Sequence, residues 1–96
     1  NKGLAYANGL ESLGRTNEAL AVYQRLTSTE PGNAKLAGIY GRKLMMAGQV
    51  DQAIPILESA EQKGDADWRV MSALGSAYDQ KGLYPKAREQ YAKALA

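Results

Sequence analysis

The sequence lacks both cysteine and histidine, and these two absences exclude much of enzyme chemistry. Without cysteine, the chain can form no disulfide, no thiolate metal site and no thiol nucleophile. Without histidine, it lacks the commonest general base and the commonest transition-metal ligand. The acidic pairs Asp65 with Asp67 and Glu58 with Glu61 are typical of ordinary helix-end charges, and no glycine-rich phosphate loop is present. We therefore expect no enzyme, no metal site and no cofactor.

A strong charge imbalance and long apolar runs are absent as well. Twelve Lys and Arg residues against ten Asp and Glu residues give a formal net charge of +2, which is too small to indicate nucleic acid as the partner. Nucleic-acid binding is kept as an alternative that would use Lys35, Arg42, Lys43 and Arg69. The apolar runs extend over only a few residues, whereas a membrane-spanning helix needs about 20. No segment of the sequence is expected to insert into a membrane.

What is present is the composition of a folded protein. Hydrophobic residues make up 45% of the 96 residues and charged residues 23%, which excludes a disordered or fibrous chain. This length suffices for one compact domain, which we place at residues 1–96. The sequence opens with Asn1 and shows no signal peptide, so we expect it to be a piece of a longer protein.

A repeat of 34 residues extends through the whole sequence. Gly14, Gly48 and Gly82 stand 34 residues apart, and apolar residues follow each glycine at constant distances. The matching positions are Ala19, Ala53 and Ala87, then Tyr23, Leu57 and Tyr91, then Leu26, Ala60 and Ala94. Chance rarely maintains such spacing over three copies, so we divide the chain into repeats 1–33, 34–67 and 68–96.

Each copy has the pattern of two helices joined by a tight turn. In the third copy, apolar residues recur at helical spacing on both sides of Gly82. Gly82 can adopt the left-handed conformation that ends the first helix, and Pro85 fits the first turn of the second helix. Asn17 and Asp51 hold the position of Pro85 in the other two copies, and we expect them to be N-caps. The sequence thus predicts three helical hairpins.

Small residues and one proline refine this prediction. Ala7, Gly41 and Gly75 share one register position in the first helix of each copy. An alanine faces each of them from the second helix, so we expect the two helices of a hairpin to approach closely. Pro55 falls a few residues into the second helix of the second copy and predicts a slight bend rather than a break.

The third copy resembles the tetratricopeptide repeat, whose pattern over 34 residues has Trp, Leu-Gly, Tyr, Ala, an aromatic residue and a final Pro. The matching residues are Leu74, Gly75, Tyr78, Gly82, Ala87, Tyr91 and Ala94. The resemblance covers the whole chain and implies an all-α fold, in which three hairpins stack as a short right-handed α-solenoid. Trp68 lies three residues before the position of the family's Trp, which Met71 occupies. We expect the Trp68 side chain to pack in the core, with stacking on a ligand as the alternative.

The resemblance also implies a function, because the first helices of this family line a concave groove that binds an extended peptide or a helix of a partner protein. The positions that register with this groove are Leu4, Asn8, Glu11 and Ser12 in the first copy, Lys35, Arg42, Met45 and Met46 in the second, and Arg69, Ser76, Asp79 and Gln80 in the third. Their centre is basic with a pair of methionines, which suits a partner that carries both an acidic group and an apolar side chain. A clamp for a C-terminal carboxylate would need Lys, Asn and Arg where Leu4, Ile39 and Ala73 stand, so that clamp is not expected.

Two further expectations concern the setting of the domain. Tyr91, Ala94 and Leu95 would leave apolar surface after the third hairpin, which indicates flanking repeats or, as the alternative function, self-association into homo-oligomers. The segments 48–53, 68–70 and 74–79 look similar to repeat proteins of bacterial tight-adherence pilus assembly. That similarity implies an assembly scaffold in the bacterial periplasm or at the periplasmic face of the outer membrane. Otherwise we expect a cytoplasmic location.

Overall fold

The computed structural model describes all 96 residues and consists of six α-helices joined by short turns. In chain order the helices are α1 (Lys2–Ser12), α2 (Thr16–Thr29), α3 (Ala34–Met46), α4 (Val50–Gln62), α5 (Trp68–Gln80) and α6 (Tyr84–Leu95). No β-strand is present, so the predicted all-α fold is confirmed. None of the six helices combines the length and the apolar content that crossing a membrane requires.

The helices pack as three hairpins that follow one another along a body of 37 × 25 × 20 Å. Within the hairpins, α1 packs on α2, α3 on α4 and α5 on α6, and each second helix also packs on the first helix of the next hairpin. Buried side chains from all six helices form one continuous apolar cluster. Each hairpin therefore covers the apolar face of its neighbour, which is how a helical solenoid is stabilised.

The glycine turns form as predicted. Gly14, Gly48 and Gly82 have φ angles of 77°, 78° and 77°, in the left-handed region where a side chain is disfavoured. In each turn the N–H after the glycine donates to a carbonyl five residues earlier. These bonds join Arg15 N to Leu10 O (2.9 Å), Gln49 N to Leu44 O (2.9 Å) and Leu83 N to Tyr78 O (2.8 Å). The same backbone turn thus ends the first helix of every hairpin.

The starts of the second helices differ from the prediction. Asn17 and Asp51 are not N-caps, because α2 and α4 each begin one residue before them. The N-cap positions of the second helices belong to Arg15, Gln49 and Leu83, whose side chains make no capping hydrogen bond. Each of these residues directly follows a turn glycine, so the geometry of the turn sets the helix start without side-chain help. Pro85 lies in the first turn of α6 as predicted, and α4 continues without a break through Pro55.

Close contact between the two helices of a hairpin is confirmed. A Cβ atom added to Gly41 would lie 2.6 Å from Cγ of Leu57, and one added to Gly75 would lie 2.8 Å from Cε1 of Tyr91. The alanines expected to face these positions from the second helices are buried. Larger residues at these positions would force the two helices apart.

The first helices of the second and third hairpins lie against each other, whereas those of the first and second do not. α3 packs on α5, but no Cα atom of α1 lies within 8 Å of one in α3. Gly38 permits the contact with α5, because a Cβ atom there would lie 3.0 Å from Cγ2 of Val70. In α1 the same register position carries Leu4, whose side chain needs room. The first helices therefore form a continuous surface only between α3 and α5.

Candidate partner-binding groove

A groove runs between α3 and α5 and the loop that precedes α5, and we call it the inner groove. It contains two adjoining cavities with volumes of about 590 Å³ and about 320 Å³. The larger cavity is lined by Lys35, Gly38, Ile39, Arg42, Asp65, Asp67, Arg69 and Val70. The smaller cavity is lined by Arg42, Met45, Met46, Trp68, Arg69, Ser72 and Ala73. Because Arg42 and Arg69 line both cavities, the groove joins a charged half to an apolar half.

The inner groove brings together part of the set of residues predicted from the sequence. These residues are Lys35, Arg42, Met45, Met46 and Arg69. Lys35 and Arg42 form no ion pair within the protein, since the ion pairs of the chain involve other side chains. Both cations are therefore available to a carboxylate that enters the groove.

Arg69 differs from the other two cations because it is paired with Asp67. Its Nη2 and Nε atoms donate to Asp67 Oδ2 at 3.0 and 3.3 Å. The other oxygen of Asp67 caps α5 by accepting from the backbone N–H groups of Arg69 (3.0 Å) and Val70 (3.1 Å). Burial raises the pKa of Asp67, but these hydrogen bonds and the Arg69 charge outweigh it, so the pKa lies below its ordinary value. No cluster of three or more acidic side chains that could hold a metal ion is present.

The prediction that Trp68 packs in the core is wrong. Its side chain is 63% exposed, because Trp68 is the first residue of α5 and precedes the buried stripe that begins at Val70. The ring lies 5.9 Å from the guanidinium carbon of Arg69. Met46, which lines the same cavity, is 76% exposed. The apolar half of the inner groove therefore presents a tryptophan and a methionine to water beside two arginines.

The predicted groove residues of the first copy lie elsewhere and are engaged with one another. The Tyr23 hydroxyl, placed by α2, lies 2.8 Å from Asn8 Oδ1 and 2.5 Å from Glu11 Oε1. Glu11 also pairs with Lys43 at 3.2 Å, and the Ser12 hydroxyl donates to the Asn8 carbonyl at 3.1 Å. Burial and, after it, the bond to Glu11 raise the pKa of Tyr23. This cluster links α1 to α2 and α3, whereas Leu4 is half-buried and packs against the apolar core.

The predicted residues of the third copy are also outside the inner groove. Ser76, Asp79 and Gln80 lie in the second half of α5, and Gln80 Nε2 donates to Ser76 Oγ at 3.4 Å. From α5 the groove is lined only by residues of the first half of the helix, namely Trp68, Arg69, Val70, Ser72 and Ala73. Ser72, Asp65 and Asp67 also line the groove and were not predicted from the sequence. The position of Asp67 before an apolar stripe is an N-cap signal that could have identified one of them.

The sequence and the fold are both similar to those of known proteins. A family model described as tetratricopeptide repeat matches residues 10–69 and 44–96. A solved structure described as the second TPR of Spaghetti (RPAP3) bound to HSP90 peptide SRMEEVD superimposes with a TM-score of 0.87 at 17% identity, and the match covers 98% of this chain and 87% of that one. A search of curated proteins finds no match to the sequence.

Two solved MamA structures are also similar. The one described as MamA RS-1 ArsTM double mutant has a TM-score of 0.85 at 27% identity, over 97% of this chain and 52% of that chain. The one described as MamA MSR-1 C2 has a TM-score of 0.79 at 19% identity, over 97% of this chain and 53% of that chain. The chain thus spans about half the length of these MamA chains.

Proposed function

Because the chain belongs to the tetratricopeptide repeat family, we propose that it is a non-enzymatic interaction scaffold that binds a peptide or a helix of a partner protein in the inner groove. One observation carries this proposal: Trp68 and Met46 are exposed in the same cavity that Arg42 and Arg69 line. Large apolar side chains that face water together with charged neighbours are characteristic of protein-binding surfaces.

The partner we propose has an acidic group next to an apolar side chain. A carboxylate in the larger cavity would lie near Lys35 and Arg42, neither of which has an ion-pair partner in the protein. An apolar side chain in the smaller cavity would contact Trp68 and Met46, where the flexible methionine adapts to irregular shapes. Asp65 and Asp67 line the larger cavity too, but Arg69 neutralises Asp67 and the two unpaired cations outnumber Asp65. The cavity therefore keeps a net positive charge that favours an acidic partner segment.

Recognition of a free C-terminal carboxylate is not part of the proposal. The chain has Leu4, Ile39 and Ala73 where such a clamp would need polar or basic side chains. Asn8, which matches the clamp's Asn, already lies in hydrogen-bond contact with the Tyr23 hydroxyl. An acidic segment inside a partner's sequence should therefore bind as well as one at its end.

The first prediction tests this groove with an array of short acidic peptides that each carry at least one apolar residue, SRMEEVD among them. Trp68→Ala and Arg42→Gln should each weaken the best peptide roughly tenfold, about 1.4 kcal/mol, in calorimetric titration. The matched control is Arg25→Gln with Arg88→Gln, which removes exposed arginines of α2 and α6 that form no ion pair.

A second peptide form sharpens the test. The same peptide with an amidated C-terminus should bind equally well, because no clamp for the terminal carboxylate is proposed. Equal losses from the groove variants and the control pair would show that the inner groove is not the binding site.

Self-association through α6 is a second candidate function, and one comparison of equivalent positions favours it. Tyr91 is 39% exposed, whereas Tyr23 and Leu57 at the same register position are 2% and 0% exposed under the following hairpin. A second copy of the chain could cover this surface. The role in pilus assembly and the bacterial location that the similarity implies stay predictions.

A further inference from the structure

A separate cavity of about 500 Å³ lies away from the inner groove, between α2 and α4, and we call it the outer cleft. Its floor is provided by α3 through Ala37, Tyr40 and Leu44. Its walls carry mainly uncharged polar side chains, among them Thr27 of α2 and Ser59 of α4. The volume falls within the range of small-molecule sites in proteins.

The equivalent space between α4 and α6 contains no cavity, and the sequence gives the reason. There, Glu61 of α4 reaches α6 and accepts from Gln90 Nε2 at 3.2 Å and from Lys93 Nζ at 3.4 Å. In the outer cleft the residues 34 positions earlier are Thr27, Ile56 and Ser59, which are too short or too apolar to form that bridge.

The floor of the outer cleft also has a smaller side chain than the equivalent position between α4 and α6. Ala37 holds the register position of Met71, so the cleft lacks the bulk that the third hairpin has there. The outer cleft is thus open because four of its residues are smaller than their equivalents in the next repeat or cannot form the hydrogen bonds that join α4 to α6.

Tyr40 places an unused hydrogen-bond donor at this floor. The side chain is only 8% exposed, and it lines the outer cleft and no other cavity. Its hydroxyl has no hydrogen-bond partner within the protein, in contrast to the hydroxyls of Tyr23 and Tyr78, which contact carboxylates. Burial raises the pKa of Tyr40, so the hydroxyl keeps its proton at neutral pH and can donate. Gln90 Oε1 is the one fully buried side-chain polar atom without a partner, so the Tyr40 hydroxyl keeps some contact with solvent and is accessible to an acceptor that enters the cleft.

The charged residues of the cleft indicate which kind of ligand it could bind. Lys63 is the one charged side chain of the lining, and its ammonium donates to the Pro31 carbonyl at one end of the cleft. No carboxylate lines the cleft. We propose that the outer cleft binds a small amphipathic carboxylate, whose apolar body lies on Ala37, Leu44 and Ile56 and whose oxygens accept from Tyr40 and Lys63.

The test uses 4-phenylbutyrate as the probe and follows the backbone amide signals of the whole chain by heteronuclear NMR. We expect saturable shifts at millimolar probe, concentrated on the residues of the outer cleft. Tyr40→Phe should weaken binding roughly 3- to 10-fold, the loss expected for one hydrogen bond. Tyr6→Phe, which alters an exposed tyrosine outside the cleft, should leave binding unchanged. Lys63→Gln should remove the preference for the carboxylate over 4-phenylbutanol.

Two variants that close the cleft complete the test. Ala37→Met copies the residue of the third hairpin into the floor and should reduce binding at least tenfold. Thr27→Glu with Ser59→Lys copies the Glu61–Lys93 contact into the walls of the cleft and leaves its buried floor intact. This double variant replaces Ala37→Met in the test if Ala37→Met does not fold. Shifts that persist in the folded closed variants, shifts confined to the inner groove or to α6, or no saturable shifts would each overturn the proposal.

Discussion

At the scale of single residues, Asp67 shows how one carboxylate can fix both a helix and a site. One oxygen caps α5 through the N–H groups of Arg69 and Val70, and the other holds the Arg69 guanidinium at 3.0 Å. The capping bonds set where α5 begins, and the ion pair sets where Arg69 points in the inner groove. Trp68 lies between Asp67 and Arg69 in sequence. Because α5 begins at Trp68, its side chain lies outside the core.

The second prediction follows from this carboxylate. Asp67→Ala should lower the free energy of unfolding by about 1 kcal/mol at neutral pH because α5 loses its N-cap, whereas Asp67→Asn keeps a capping oxygen and should lose less. The measurement is chemical denaturation followed by circular dichroism.

The pH dependence of the unfolding free energy shows whether the charge on Asp67 stabilises the fold. The pKa of Asp67 in the folded protein lies below its ordinary value of 3.8, so its charged form stabilises the fold above that pH. The advantage of the native protein over Asp67→Asn should therefore be constant near neutral pH and disappear as the pH falls through the lowered pKa. An advantage that grows towards acid would contradict the assignment.

At the scale of the helical elements, the hairpins depend on how closely their two helices cross. The contact at Gly41 is with Leu57, which is 0% exposed and has a backbone nitrogen 3.4 Å from the added Cβ position. The contact at Gly75 is with the ring of Tyr91, which is 39% exposed and has room to move outward. Gly41 and Gly75 hold the same register position, but the second hairpin should tolerate a larger residue there less well than the third.

The third prediction ranks three substitutions by this difference. Gly41→Ala should destabilise the fold by about 1 to 3 kcal/mol because its methyl group overpacks a buried contact, and Gly75→Ala should cost less. Gly9, in α1, has no atom within 4 Å of an added Cβ, so Gly9→Ala should stabilise by about 0.5 to 1 kcal/mol through helix propensity. Thermal unfolding of the three variants checks the order, and a Gly41→Ala protein as stable as Gly9→Ala would refute the close crossing.

At the scale of the whole molecule, the three hairpins are not equally covered. The apolar cluster runs from α1 to α6, but α6 contributes only Ala87 to its fully buried part. Leu95 is 91% exposed, and Tyr84 and Tyr91 are also exposed. The stack therefore ends in a surface that a further helix or a second copy could bury.

The fourth prediction concerns this end surface. Sedimentation should show association that increases with protein concentration, since exposed apolar area favours contact between copies. Leu95→Glu with Tyr91→Lys should be monomeric, and Leu95→Glu alone should associate more weakly while keeping the Tyr91 contact with Gly75. Leu13→Glu, at an exposed position of the first hairpin, is the control and should associate like the native chain. A native chain that stays monomeric at millimolar concentration would exclude self-association as its function.

The sequence by itself determined the fold of this protein. The 34-residue spacing of Gly14, Gly48 and Gly82 predicted the hairpins, and the structure confirms their left-handed turns. The small residues at Gly41 and Gly75 predicted the close helix crossings. These features depend on backbone conformation and on neighbours within one hairpin. The spacing of residues over a short stretch of sequence is enough to predict both.

Only the tertiary structure decided which of the predicted residues form the candidate site, and which others join them. The 34-residue register aligns Ser76 with Arg42, but in the folded chain Arg42 lies beside Arg69 at the start of α5. The relative shift of two hairpins depends on the side-chain volume between them, as Gly38 and Leu4 show at one register position. The bonded cluster around Tyr23, which joins α1 to α2 and α3, likewise forms only when the helices pack. Spacing along the chain fixes the order of the packed elements, and the volumes at their contacts fix which side chains meet.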